Sequence, residues 1–341
     1  MTVTAQVRAT ALLDFPAVAL EAGIDPYAAL LEAGIDPSSL SRADLTLPTD
    51  RVAWLLDGVA EKSGIADLGI RIAMRRRLAN LGVAGLVLGQ QPTVRDALMM
   101  ADKYSHLLSN ALSIHIESGD GDVATLVLGV AIAASAPGRQ SRELALAAYV
   151  HLFRLLLGEH WVPLTVHFSH SAPPSATLHQ RFFGCRVQFG STLDGLECLA
   201  ADLDRVNTKA DPALAAYAAS LLDTIPSRHG DATTSIVTRL IYALLPIGSA
   251  TIERVAATMG RNVRTLQRDI EREGGTFSSL LAETRKTAAI ELLRDPSLTI
   301  AAVAERLGYS HPSAFIRFFQ TQFHKTPGHW RASTFRLNPR P

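Results

Sequence analysis

Residues 303–319 read VAERLGYSHPSAFIRFF, and 48 residues earlier a close echo, VAATMGRNVRTLQRDI, occupies residues 255–270. Val255 and Ala256 answer to Val303 and Ala304, Met259 and Gly260 to Leu307 and Gly308, and Asn262 to Ser310. One extra residue enters the second copy, after which Leu266, Arg268 and Ile270 answer to Phe315, Arg317 and Phe319. Each copy spells a short apolar-faced helix, a glycine, a polar residue and a second amphipathic helix. The glycine takes a positive φ at a helix end without a Cβ clash, and Asn262 and Ser310 are the expected caps of the following helices. Residues four apart share a helix face, so Leu266 with Ile270, and Phe315 with Phe319, are expected in a core, leaving Arg268 and Arg317 on another face. One such hairpin is ordinary helical grammar. Two of them, joined by the helix-length segment TFSSLLAETRKTAAIELLRD, predict a pair of helix-turn-helix motifs: the first about 251–272, a connecting helix about 276–294, and the second about 300–323.

The charge follows the motif. Residues 249–341 hold 14 Lys+Arg against 8 Asp+Glu, a net +6, while residues 1–248 hold 19 against 24, a net −5, inside a chain of formal charge +1. That asymmetry is expected of a nucleic-acid-binding domain attached to a non-binding one. The segment DTIPSRHGDATTS concentrates Pro, Gly, Ser, Thr and Asp and marks a linker at 223–235, with domains at 1–222 and 236–341. In the first domain, residues 12–31 and 49–63 read as helices, and QPTVRDALMMADKYSHLL opens another with Pro92 early in its first turn. ALSIHIESGDGDVATLVLGV alternates on both sides of Gly119-Asp120-Gly121-Asp122, a β-hairpin pattern. RQSRELALAAYVHLFRLLL reads as a helix, PLTVHFSH as a strand, PPSATLHQRFFG as a short helix, and CRVQFG with GLECLAA as a further pair of strands. The expected fold is an α+β N-terminal domain of helices plus an antiparallel sheet, followed by an all-α domain of seven helices ending in a turn at TPGHWR.

Other function classes lack their residues. The two cysteines, Cys185 and Cys198, form no CxxC or Cys/His pattern, so neither a disulfide framework nor a metal site is expected. There is no GxSxG elbow, no GxxxxGK phosphate loop and no HExxH, so no catalytic residue is named. Eight of the 11 histidines precede residue 249, among them His106, His151, His160 and His167; a haem sensor would reveal itself by a Soret band, but no ligand motif is present and no cofactor is expected. An apolar fraction of 48% rules out a disordered chain. No membrane span and no signal peptide are read from the sequence, and a cytoplasmic protein is expected.

With RTLQR in the first motif, and LGYSHPSAFIRFFQTQF followed by TPGHWR in the second, the chain resembles the AraC/XylS family of bacterial transcription regulators over about 100 residues, from roughly Thr233 to Phe335. The N-terminal part is similar, less sharply, to the arabinose-binding-like effector domain of one branch. The resemblance implies an effector-responsive regulator, often an activator, whose partners are double-stranded DNA, RNA polymerase, an unknown small-molecule effector and a second copy of the chain. It does not make arabinose the ligand, and it names no effector-binding residue. Carried over position by position, the groove-facing residues are Arg264, Gln267 and Arg268 in the first motif, and Pro312, Ser313, Ala314 and Arg317 in the second. Two positions depart from the pattern: Val263 stands where many relatives have proline, and Asp269 where a basic or apolar residue is common, removing positive potential near DNA. Arg285, Lys286, Arg306, Lys325 and Arg331 are expected at phosphate or in solvent. The rival reading is a DNA-binding module fused to an enzyme, such as an alkyl-transfer repair function, which needs an activated cysteine.

Overall fold

The computed structural model describes residues 5–42, 45–76, 82–104, 109, 111–119, 121–132, 137–223 and 232–337. The chain divides into two compact units, Met1–Asp231 and Ala232–Pro341. Among the described residues no helix is long and apolar enough to cross a membrane. Most of the expected linker, His106 and Asp120 lie outside the described residues.

The first unit opens with strand β1 (Gln6–Arg8), helices α1 (Phe15–Glu21) and α2 (Pro26–Glu32), strand β2 (Thr46–Pro48) and helices α3 (Thr49–Ser63), α4 (Leu68–Arg75), α5 (Gly82–Gly89) and α6 (Val94–Lys103). β1 and β2 make a small antiparallel ribbon. The single helix expected over 12–31 is two: Gly23 adopts φ +75°, and Asp25 starts the second helix by accepting hydrogen bonds from the Tyr27 and Ala28 amides, with Pro26 at its first position. α6 is capped by Thr93, whose hydroxyl accepts from the Asp96 amide; Pro92 therefore precedes the cap instead of entering the first turn.

The main sheet follows: β3 (Leu112–Ser118), β4 (Val123–Val130), β5 (Thr165–Phe168), β6 (Arg186–Phe189) and β7 (Gly195–Leu199), in the order β3-β4-β7-β5-β6. α7 (Arg139–Leu157) and α8 (Thr177–Phe183) run between them, and α9 (Ala200–Asp204) and α10 (Pro212–Asp223) follow the last strand. The hairpin pairs Ser118 with Ala124, as its alternation requires. β6 and β7 are not partners, however: β7 lies between β4 and β5, and β6 pairs with β5 in parallel. The cause is the connection, since a chain that crosses through α8 before returning enters the sheet in the same direction it left. The sheet is otherwise antiparallel. Leu126, Val166, Phe168 and Leu196 from the sheet are buried with Phe153 of α7 and Phe183 of α8 in one apolar core.

A polar group is sealed at the start of α7. Glu143 is fully buried, with Oε1 3.1 Å from Arg139 Nε, 3.1 Å from His179 Nε2 and 3.4 Å from His170 Nε2. Arg142 faces Asp194 at 3.3 Å. Gln140 accepts from the Gly69 amide at 2.8 Å and donates to the Ala66 carbonyl at 3.0 Å, fixing α4 against α7. Burial draws the His170 imidazole down despite the nearby carboxylates of Glu143 and Asp194. Burial also pushes Asp57 of α3 up from 3.8 to about 7, against a backbone hydrogen bond at Gln140 and the charge of Arg142. The unfolded carboxyl releases its proton near 3.8 and the folded one near 7, so the native state binds more protons in between and this group's contribution to stability falls as pH rises through that window. Asp57→Asn should therefore unfold later than wild type at pH 8, by up to about 4 kcal/mol, with the advantage gone at pH 4. Denaturation midpoints of both proteins across that pH range check it.

Among its described residues the second unit has seven helices: α11 (Thr233–Leu244), α12 (Ile252–Thr258), α13 (Val263–Arg272), α14 (Phe277–Leu293), α15 (Ile300–Arg306), α16 (Pro312–Phe323) and α17 (Pro327–Leu337). The expected terminal turn is the helix α17. α11 starts inside the expected linker because Glu273, just past α13, accepts hydrogen bonds from the Thr233 and Thr234 amides at 2.7 and 2.8 Å. One apolar core holds the unit, with Val237, Leu240, Ile241 and Leu244 of α11, Leu266 and Ile270 of α13, Ala289 and Leu293 of α14, and Phe315 and Phe319 of α16 all buried in it.

Candidate nucleic-acid interface

The first motif is α12 and α13. Thr251 caps α12 by accepting from the Arg254 amide at 3.3 Å, Gly260 turns the chain at φ +61°, and Asn262 caps α13 by accepting from the Thr265 amide at 2.8 Å. Each cap satisfies a donor that the helix itself leaves open. Leu266 and Ile270 are fully buried, so the opposite face must be outward. Arg264, Gln267 and Arg268, three and four residues apart, are exposed on it.

The second motif is α15 and α16. Thr299 caps α15 through the Ala302 amide at 3.1 Å, and Gly308 turns the chain at φ +72°. Ser310 is not the cap of α16. His311 holds that place without a side-chain hydrogen bond, and Pro312 stands at the first helical position, where its missing N–H leaves the helix start one open donor fewer. Phe315 and Phe319 are fully buried, while Pro312, Ser313 and Arg317 are exposed and Ala314 half-buried.

The connecting helix α14 orients the second motif. Thr276 and Ser279 cap its start reciprocally. From its middle, Arg285 Nε donates to the Leu307 carbonyl at 3.2 Å, and the guanidinium stacks 4.5 Å from the centre of the Tyr309 ring. From α17, Arg331 donates through Nε to the Leu293 carbonyl at 3.0 Å and through Nη1 to the Leu298 carbonyl at 2.6 Å. Burial draws its guanidinium's pKa down.

This sorts the basic side chains. Arg285 and Arg331, expected at phosphate or in solvent, are internal donors, and Arg306 is buried. Lys286 lies 3.5 Å from Glu283. Arg261, in the turn before α13, and Arg272, in its last turn, both meet Asp269, at 3.1 and 3.2 Å; the sequence reading missed both pairings, although an aspartate three residues before an arginine on one helix signals the second. Arg264, Arg268, Arg317 and Lys325 are exposed and have no side-chain hydrogen bond or ion pair among the described residues. Three of the four stand on the outward faces of α13 and α16.

The cysteines show the opposite of activation. Burial pushes the Cys185 thiol up to about 11 and the Cys198 thiol up to about 12, whereas an alkyl-accepting cysteine needs a lowered one. Among the described residues no group of His, Cys, Asp and Glu could hold a metal ion.

Residues 23–207 match the family model described as the arabinose-binding domain of AraC transcription regulator, and residues 255–333 match that of a helix-turn-helix domain. The HTH-type transcriptional regulator VirS of Mycobacterium tuberculosis is 28% identical over 333 residues, 96% of each chain. The ornithine utilization regulator of Pseudomonas aeruginosa is 25% identical over 273 residues, 77% of this chain and 78% of its own. The transcriptional activator NphR of a Rhodococcus species is 32% identical over 101 residues, 30% of each.

The two turn glycines are unequal. A Cβ on Gly260 would meet nothing within 4 Å, but on Gly308 it would lie 2.9 Å from the Leu245 carbonyl oxygen. Both alanine variants force a side chain into positive φ, costing about 1–2 kcal/mol; Gly308→Ala adds the collision and should cost measurably more. Hydrogen exchange of the amides in residues 232–337 measures both.

Proposed function

Because the chain belongs to the AraC/XylS family of transcription regulators and binds DNA in that role, we propose that α13 and α16 are its two recognition helices and enter successive major grooves. The observation carrying this reading is the sorting of charge: Arg264, Arg268 and Arg317, without a side-chain partner among the described residues, stand on the outward faces of those two helices, while Arg285 and Arg331 hold carbonyls and Arg261 and Arg272 a carboxylate. Such helices want half-sites about 10–10.5 bp apart on one face of the duplex.

The chemistry at the two faces differs. Arg264 and Arg268 can each offer two hydrogen bonds to guanine N7 and O6, and Gln267 can do the same for adenine N7 and N6. α16 offers the short Ser313, the apolar Pro312 and Ala314, and one long side chain, Arg317. The first motif therefore supplies most of the base-specific hydrogen bonding. The second relies on Arg317, on contact with thymine methyls and on phosphate anchoring.

The N-terminal unit, matched to an effector domain over 23–207, is assigned the binding of a small molecule and the pairing of two copies of the chain. The ligand must bind two states of the protein unequally to change DNA binding. Activation through RNA polymerase, in the cytoplasm and without a catalytic step, completes the proposal; one relative is named a transcriptional activator, and both thiols are raised.

Arg268→Ala should cost about 1–3 kcal/mol on the best site and flatten preference at one base pair, whereas Lys325→Ala should weaken all sites alike and lower the salt slope by about one. Binding isotherms over single-base variants, at several salt concentrations, separate the two. Footprinting that protected a single groove per DNA-binding unit would overturn the two-groove reading.

A further inference from the structure

The arrangement of Asp269 turns an apparent defect of the DNA surface into a device. Asp269 lies on the flank of α13, beside Arg268. Its Oδ2 is 3.1 Å from Nη1 of Arg261, in the turn before the helix, and its Oδ1 is 3.2 Å from Nη1 of Arg272, in the last turn. The carboxylate is one-fifth exposed, while the arginines keep 38% and 64% of their side-chain surface open. Each guanidinium thus gives one N–H to Asp269 and holds its other donors, which have no side-chain partner among the described residues, in a fixed plane suited to a phosphate. The trio carries a net charge of +1. At the corresponding places the second motif has Tyr309, Phe318 and Thr321, so the device belongs to the first motif alone.

We propose that Asp269 is a positioning residue that holds Arg261 and Arg272 side by side as phosphate contacts on the flank of the first recognition helix. This rests on the assignment of α13 to a major groove. Its signature is a sign. A lone aspartate at this flank repels DNA, and removing it would tighten binding; a positioning aspartate does the reverse, because both arginines swing free and must be ordered again at the duplex.

The experiment measures the affinity of the full chain for an operator duplex selected from random sequences and for a scrambled duplex of equal length, over a range of salt. Asp269→Ala is expected to weaken both complexes about tenfold and to make the salt dependence shallower by about one phosphate contact. In an Arg261→Ala/Arg272→Ala background the same substitution is expected to tighten binding, since only the repulsion is left. Asp269→Asn, which keeps one acceptor and the side-chain shape, should fall between. Unchanged or tighter binding by Asp269→Ala in the wild-type background overturns the proposal, and so does an equal loss in both backgrounds, which is what general damage to the helix gives. The groove assignment is read separately: if Arg268→Ala left base preference intact, α13 would not be reading bases, whatever the scrambled duplex showed for Asp269.

Discussion

Both helix-turn-helix motifs are built on one shared core, and the setting of their outward faces depends on it. Leu266 and Ile270 anchor α13 from one side, and Phe315 and Phe319 anchor α16 from the other, against buried residues of α11 and α14. A helix whose apolar stripe is fixed has its opposite stripe fixed as well, since the side chains of a rigid helix turn together. The rotational setting of Arg264, Gln267 and Arg268, and of Ser313 and Arg317, is thus decided by residues buried in that core. Fully buried phenylalanines are costly to truncate, about 3–5 kcal/mol each, which makes that setting stiff.

Arginine serves two opposed ends in the same small unit. Arg285 and Arg331 give N–H groups to the Leu307 and Leu293 carbonyls at the C-terminal ends of α15 and α14, where backbone acceptors would otherwise lack donors, and Arg331 gives another to the Leu298 carbonyl ahead of α15. They tie the second motif and the last helix to the connecting helix. Arg264, Arg268 and Arg317 are left for an external partner. A count of charge cannot tell these apart, because the net +6 of residues 249–341 includes both.

Periodicity explains what was legible in the sequence. The repeat placed both motifs, the connecting helix and the buried residues, because each is a local pattern: an apolar pair four apart, a glycine at a helix end, a polar residue ahead of a helix. Asn262 followed this rule. Ser310 did not, since Pro312 moved the start of its helix by one residue and removed a donor. Readings failed where the cause lay elsewhere in the chain. α11 begins early because Glu273, 40 residues away, caps it; Arg331 is an internal donor because Leu293, 38 residues away, presents a carbonyl. β6 and β7 were read as a pair of strands because they are neighbours in sequence, while the sheet placed β5 between them. The N-terminal unit was legible as α+β, but its buried Glu143 group was not, because it joins residues from α7 and α8 with His170 just past β5.

The central claim is that two outward faces, set by one core, divide the reading of DNA unequally. Its most direct test is the affinity of the wild-type protein for every single-base substitution across a mapped operator, at one fixed salt concentration. The account predicts that changes in the half-site under α13 cost about 1–3 kcal/mol at two or three positions, while the half-site under α16 tolerates most changes except at one base pair facing Arg317. A half-site under α16 as stringent as the one under α13, or more so, would contradict it.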